Sequence, residues 1–114
     1  MELNTLENEI LMDIYDADML PGITFDIQNY ILKEESSIDK KQEFAFHLIK
    51  LKNLGYIKFE EQVFLKSGNY SNKYNNNVTK IYEDKIHIDF KGINFVEWYI
   101  SGNSEILTEM HKCG

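Results

Sequence analysis

Asp39-Lys-Lys-Gln-Glu-Phe-Ala-Phe-His-Leu-Ile-Lys-Leu-Lys-Asn-Leu-Gly-Tyr-Ile57 decides how this chain is read. At 100° per residue, Phe44, His47, Leu48, Leu51 and Leu54 fall on one apolar arc, so the spacing predicts a helix over about 39–54. Gly55 then stands where a left-handed cap is expected. Ser36, Ser37 and Asp39 all suit the N-cap, and the residues alone do not choose among them.

N-terminal to this helix, Leu3, Leu6, Ile10, Ile14 and Ala17 recur at helical spacing, which predicts a first helix over about 5–17 capped by Thr5. Leu20-Pro21-Gly22 stops it. Ile27, Tyr30 and Ile31 share one side of a short second helix over 24–33. C-terminal to Gly55 the period changes. Tyr56, Ile57, Phe59, Val63, Phe64 and Leu65 suit a strand interrupted at Glu60-Glu61-Gln62. Residues 66–77 read as a polar loop, and Val78, Ile81 and Tyr82 as a returning strand. Ile86, Ile88 and Phe90 alternate with His87 and Asp89 as a half-buried strand does. Lys91-Gly92 is expected to end it. A short apolar helix over 93–100 follows, then a break at Gly102-Asn103-Ser104 and a last amphipathic helix over 104–112. The order implies an α+β fold, a winged helix-turn-helix with a three-helix core, a β-hairpin wing and a C-terminal helix. All 114 residues read as one domain, with 101–114 as a C-terminal helical extension.

Two stretches carry a resemblance. Phe46-His-Leu-Ile-Lys-Leu-Lys-Asn-Leu-Gly-Tyr-Ile57 and Ile86-His-Ile-Asp-Phe-Lys-Gly-Ile-Asn-Phe-Val96 resemble the helix-to-wing junction and the ending of the YjcQ-like family of small winged-helix proteins from low-GC bacteria and their phages. The resemblance spans roughly residues 5–100. It implies the winged-helix fold and little about role, since the family is largely without assigned function. The chain departs from it in a long, Asn-rich wing and an acidic N-terminal third.

Charge is distributed unevenly within a net −7. Residues 1–35 hold one Lys against nine acids, residues 36–82 eight Lys against four, and residues 83–114 three Lys against six. No acid lies between Gln62 and Tyr82. Every basic residue is Lys, so bidentate guanidinium recognition of guanine or phosphate is excluded. A basic segment on a helix-turn-helix frame makes double-stranded DNA the expected partner of a bacterial or prophage transcriptional regulator. The expected contacts are Lys41, Gln42, Lys50, Lys52 and Asn53 on the helix and Lys66, Tyr70, Lys73 and Lys80 on the wing. The alternative is a non-catalytic interaction module whose acidic surface engages a protein partner.

Phe46 and Ile49 lie opposite the main apolar arc. Either they pack on the short second helix, or they form an apolar contact to thymine methyls or to a protein. Phe95, Trp98, Tyr99, Ile106 and Met110 are expected to form a homodimer interface, because the 93–100 segment leaves almost no polar face.

No catalytic constellation, metal site or cofactor motif stands out. His47 reads as a core histidine and His87 as the outward face of a strand. Asp13, Asp16 and Asp18 fail as a calcium loop, because Pro21 occupies the position such a loop reserves for Gly. Asn69 and Asn77 match the glycosylation pattern, a chance match without secretion. Apolar runs are too short to cross a bilayer, and Met1-Glu2-Leu3-Asn4 lacks the basic start of a signal peptide. The one cysteine, Cys113, has no intrachain partner. These features place the chain in the cytoplasm.

Overall fold

The structure is a computed structural model that describes residues 3–30 and 38–113; of residues 102–113 it describes the helical backbone. It is α+β, with three α-helices and a small antiparallel β-hairpin among the described residues. The helices are α1 (Thr5–Met19), α2 (Ile38–Asn53) and α3 (Phe90–Cys113). The strands are β1 (Ile57–Lys58), β2 (Phe64–Ser71), β3 (Asn76–Ile81) and β4 (His87–Ile88).

The cap of α1 is Asn4, one residue before the expected Thr5. Its side chain accepts from the Glu7 amide at 2.8 Å, and Glu7 reaches back to the Asn4 amide at 3.1 Å. This reciprocal pair satisfies two of the helix's orphan donors. Ile10, Leu11 and Ile14 turn inward and are fully buried. At the other end, Asp18 accepts from the Ile88 amide at 2.6 Å, which fastens α1 to β4.

α2 runs as its arc predicts, with Phe44, Leu48 and Leu51 buried in the same core. It ends in a Schellman closure. Gly55, at φ +88°, donates to the Lys52 carbonyl at 2.9 Å, and Tyr56 donates to Leu51 at 3.0 Å. Of the three cap candidates, Asp39 lies in the first turn, and Ser36 and Ser37 lie outside the described residues.

Over 24–30, the described part of the helix expected over 24–33, no α-helix is formed. Asp26 is extended, at φ −128° and ψ 115°, and Phe25 and Ile27 on either side of it are both buried. One 3-10 turn at Ile27–Asn29 follows, started by the Asp26 side chain accepting from the Gln28 amide at 2.9 Å. Ile31 and Lys33 lie outside the described residues.

The polar stretch 66–77 is also not a loop. β2 extends to Ser71 and β3 begins at Asn76, leaving residues 72–75 as the turn. Phe64 pairs with Ile81 and Ser71 with Asn76, with register shifts between Leu65 and Ser71. Gly68 sits inside the shifted stretch at φ +72°, a bulge conformation that glycine adopts without strain. Because Leu65 to Tyr70 are all exposed, no buried face imposes alternation on the residue types, and the strand is silent in the pattern.

The C-terminal third differs as well. The strand expected over 86–90 shrinks to β4, which pairs antiparallel with β1 through Ile57–Ile88 and Lys58–His87. Phe90 opens α3 and is 73% exposed. Lys91-Gly92 lies inside the first turn of α3, and the helix continues through Gly102 to Cys113 as one element rather than two. Glycine costs a helix only about 1 kcal/mol, so it does not by itself end one. At position 92 it is required. A Cβ there would lie 2.0 Å from the Tyr56 carbonyl oxygen and 2.7 Å from Ile88 Cδ1. The helix start therefore sits directly on the β1–β4 pair.

Gly92→Ala must displace backbone, so we expect it to cost about 3 kcal/mol in a urea melt. Gly22→Ala, at φ +78° with open space around it, should cost only about 1 kcal/mol. Equal stability of Gly92→Ala and the parent would show that the close approach does not exist.

Candidate nucleic-acid interface

Glu7 orients α2. It is 1% exposed, yet its carboxylate accepts from His47 Nδ1 at 2.7 Å and from Lys50 Nζ at 2.8 Å. Desolvation raises its pKa, but hydrogen bonds from Lys50, His47 and the Asn4 amide outweigh that and hold it below the usual carboxylate range. The capping glutamate of α1 is thus also the clamp on α2. His47 is indeed an inward-facing histidine, held by an acid on the neighbouring helix.

With that face turned inward, the next face of α2 meets the hairpin. Gln42 is 3% exposed; its Nε2 donates to the Asn69 carbonyl at 3.1 Å. Asn76 Nδ2 donates to the Gln42 carbonyl at 3.0 Å, and Asn76 Oδ1 accepts from the Val78 amide at 3.0 Å. In the turn, Tyr74 Oη donates to Glu43 at 2.7 Å. The hairpin is therefore seated along α2: Asn69 and Tyr74 bond to its N-terminal half, and the turn also lies beside Phe46, Ile49 and Asn53 farther along. Glu43, one of the acids nearest the tip, is occupied by a phenol.

These bonds divide the nine expected contacts. Gln42 is buried beneath the hairpin and is corrected from base reader to structural anchor. Lys50 is committed to Glu7. Lys52 is exposed but lies over the Phe59 ring at 4.9 Å, on the C-terminal half of α2, where Asn53 is exposed too. Lys41 is half-buried and directly precedes Gln42, at the hairpin end. Lys66, Lys73, Lys80 and Tyr70 are all exposed on the hairpin. Lys66 pairs with the exposed Glu61 at 2.9 Å, a surface contact of little energetic weight. Lys73 and Lys80 lie over the rings of Tyr74 and Tyr82, at 5.3 and 5.0 Å. Tyr70 donates to Asn75, the turn residue at φ +58°.

Phe46 is 40% exposed and packs beside Tyr74, ring centroids 6.3 Å apart. Its neighbour is thus the hairpin. With Ile49, Asn53 and Tyr74 it lines a shallow groove of about 350 Å³ between α2 and the turn. Among the expected dimer residues, Phe95 packs edge-on against Tyr56 at 5.5 Å, while Trp98 and Tyr99 are 66% and 39% exposed. The side chains of Ile106 and Met110 lie outside the described residues.

Of the three aspartates of the rejected calcium loop, Asp13 and Asp16 line one cleft beside α1, and Asp18 lies apart from it. Asp13 accepts from Tyr30 Oη, and Asp18 contacts His87 at 3.0 Å as well as β4. No group of three metal-ligating side chains is present among the described residues, and no described helix is long and apolar enough to cross a membrane. Glu7, Glu43 and Asn76 were not among the expected site residues. Only Glu7 had a readable signal, the Asn4-x-x-Glu7 capping spacing. Comparison with protein-family models, curated proteins and solved structures returns no match.

Glu7→Gln removes the anion facing His47 and Lys50 and should cost about 2–3 kcal/mol at neutral pH, toward the low end because Lys50 can reach water. A carboxylate whose folded pKa is depressed stabilises the fold above its unfolded pKa, and that stability is lost as pH falls through the folded value. The parent should therefore lose stability toward acid, while Glu7→Gln should show a shallower loss. Parallel acid profiles in urea melts would remove Glu7 from this role.

Proposed function

We propose that the chain is a winged-helix DNA-binding domain that grips duplex DNA with the N-terminal half of α2 and the β2–β3 hairpin. One observation carries the reading. The acid-free segment from Gln62 to Tyr82 folds largely as a hairpin tied to α2 through Tyr74–Glu43 and Gln42–Asn69, so its lysines, Lys73 in the turn and Lys66 and Lys80 at the base, lie along one element packed on the helix that carries Lys41. A helix start carries the positive end of its dipole, and lysines beside it add a diffuse attraction for phosphate. The resemblance to YjcQ-like winged helices supports the same frame. Within it α2 takes the place of the recognition helix and the hairpin that of the wing.

This surface is built for backbone contact more than base reading. Gln42 is withdrawn, Arg is absent, and Lys reaches phosphate as a point charge. Asn53, Phe46 and Ile49 lie on the C-terminal half of α2, outside this grip. The role that fits is a regulator of modest intrinsic sequence preference, with shape and charge setting affinity.

Contacts by Lys41, Lys66, Lys73 and Lys80 would release about four counterions, so log affinity should fall with log salt at a slope of about −3 to −4. Anisotropy of a labelled duplex, titrated from low to physiological ionic strength, measures it. Lys73→Gln with Lys80→Gln should weaken binding about tenfold at fixed salt and flatten the slope by about two. Absence of binding at low salt would end the proposal.

A further inference from the structure

A second surface lies on the side of α1 turned away from α2. Taking Glu7 as the direction of α2, residues at 100° per step place Glu9, Asp13 and Asp16 roughly opposite, in one stripe spaced four and three residues apart. The stripe lines a cleft of about 660 Å³ whose apolar surface comes from Met12, Phe95 and Tyr99. That volume lies within the about 300–1,000 Å³ typical of ligand clefts. Asn29 and Tyr30 line it from the segment after α1. Phe95 and Tyr99 are stacked, centroids 6.4 Å apart at 20°, and so present a built aromatic wall.

The cleft combines aromatic walls with carboxylates, and no lysine or histidine is among its described lining residues. The hydroxyl of Tyr30 is already spent on Asp13, and burial together with that carboxylate pushes its phenol far up, so it stays neutral. Aromatic faces attract cations, and the half-buried Asp13 and Asp16 with the exposed Glu9 add charge of the matching sign, so the cleft favours positive charge carried on an apolar body.

We propose that this cleft docks a basic amphipathic helix of a protein partner, with lysine or arginine side chains meeting Glu9, Asp13 and Asp16 and an aliphatic or aromatic side chain set against Phe95 and Tyr99. Charge complementarity selects that occupant. Residues 1–35 carry one Lys against nine acids, so a second copy of this segment would be repelled and a basic helix attracted. The surface is separate from the hairpin end, and the inference stands without the DNA reading.

Trp98 is the chain's one tryptophan, is 66% exposed, and lies 6.1 Å from the Phe95 ring, so its emission reports on this wall. The probe is a tryptophan-free leucine/lysine peptide patterned as an amphipathic helix. We expect saturable binding with a blue shift of Trp98 emission, and binding about tenfold weaker for a scrambled peptide of the same composition. Glu9→Gln with Asp16→Asn should weaken the patterned peptide about tenfold, and Tyr99→Ser should do so as well. Lys73→Gln should leave peptide binding unchanged whether or not DNA binds. Equal binding of patterned and scrambled peptides, or unchanged binding by both cleft variants, would overturn the proposal. So would a dimer in light scattering that already buries Trp98 and excludes the peptide.

Discussion

The buried carboxylate of Glu7 is the constraint on which the arrangement turns. A charge at 1% exposure is tolerable only where donors surround it, and here three do: the Asn4 amide, His47 and Lys50. Two of them sit three residues apart on α2, so the clamp fixes the rotation of that helix about its own axis. Once His47 and Lys50 face α1, Phe44, Leu48 and Leu51 face the core. Gln42 and Glu43 are left for the hairpin. The position of the basic hairpin is thus a consequence of one acid on another helix.

The charge asymmetry of the chain takes spatial form around α1. Its inward side carries Glu7 among Ile10, Leu11 and Ile14, and its outward side carries Glu9, Asp13 and Asp16. Three lysines of the middle third, Lys66, Lys73 and Lys80, lie on the hairpin, where acids are absent from the strands. A net charge of −7 therefore describes neither surface. On the proposed DNA-binding reading, the acidic cleft would repel nucleic acid and leave the hairpin side as the attractive approach.

How much of this was legible in the sequence depends on whether one buried face controlled the residue types. α1 and α2 were readable because a single core imposes helical spacing, and Gly55 announced its left-handed cap. The non-helical stretch from Thr24 into the 3-10 turn at Ile27 was not, because two buried residues, Phe25 and Ile27, are too few to settle a period. β2 was hidden because it buries nothing between Leu65 and Tyr70; its partners are Gln42 and Asn76, polar residues that look like loop or surface. Gly92 misled in the same way. It marks the contact of α3 with Tyr56 and Ile88, a tertiary fact that reads locally as a break. At the candidate site the lysines were visible and their partners were not, since Lys50–Glu7 and Gln42–Asn69 join residues 43 and 27 positions apart.

The central claim is that α2 and the hairpin form one DNA-facing surface held by the Glu7 clamp. Amide chemical-shift mapping of the intact chain with an unlabelled duplex at low ionic strength tests it most directly. The account predicts perturbations confined to Asp39–Gln42 and Lys66–Lys80, with Glu9 to Asp16 unmoved. Perturbations centred on α1 and α3 with a silent hairpin, or no perturbation anywhere, would contradict it.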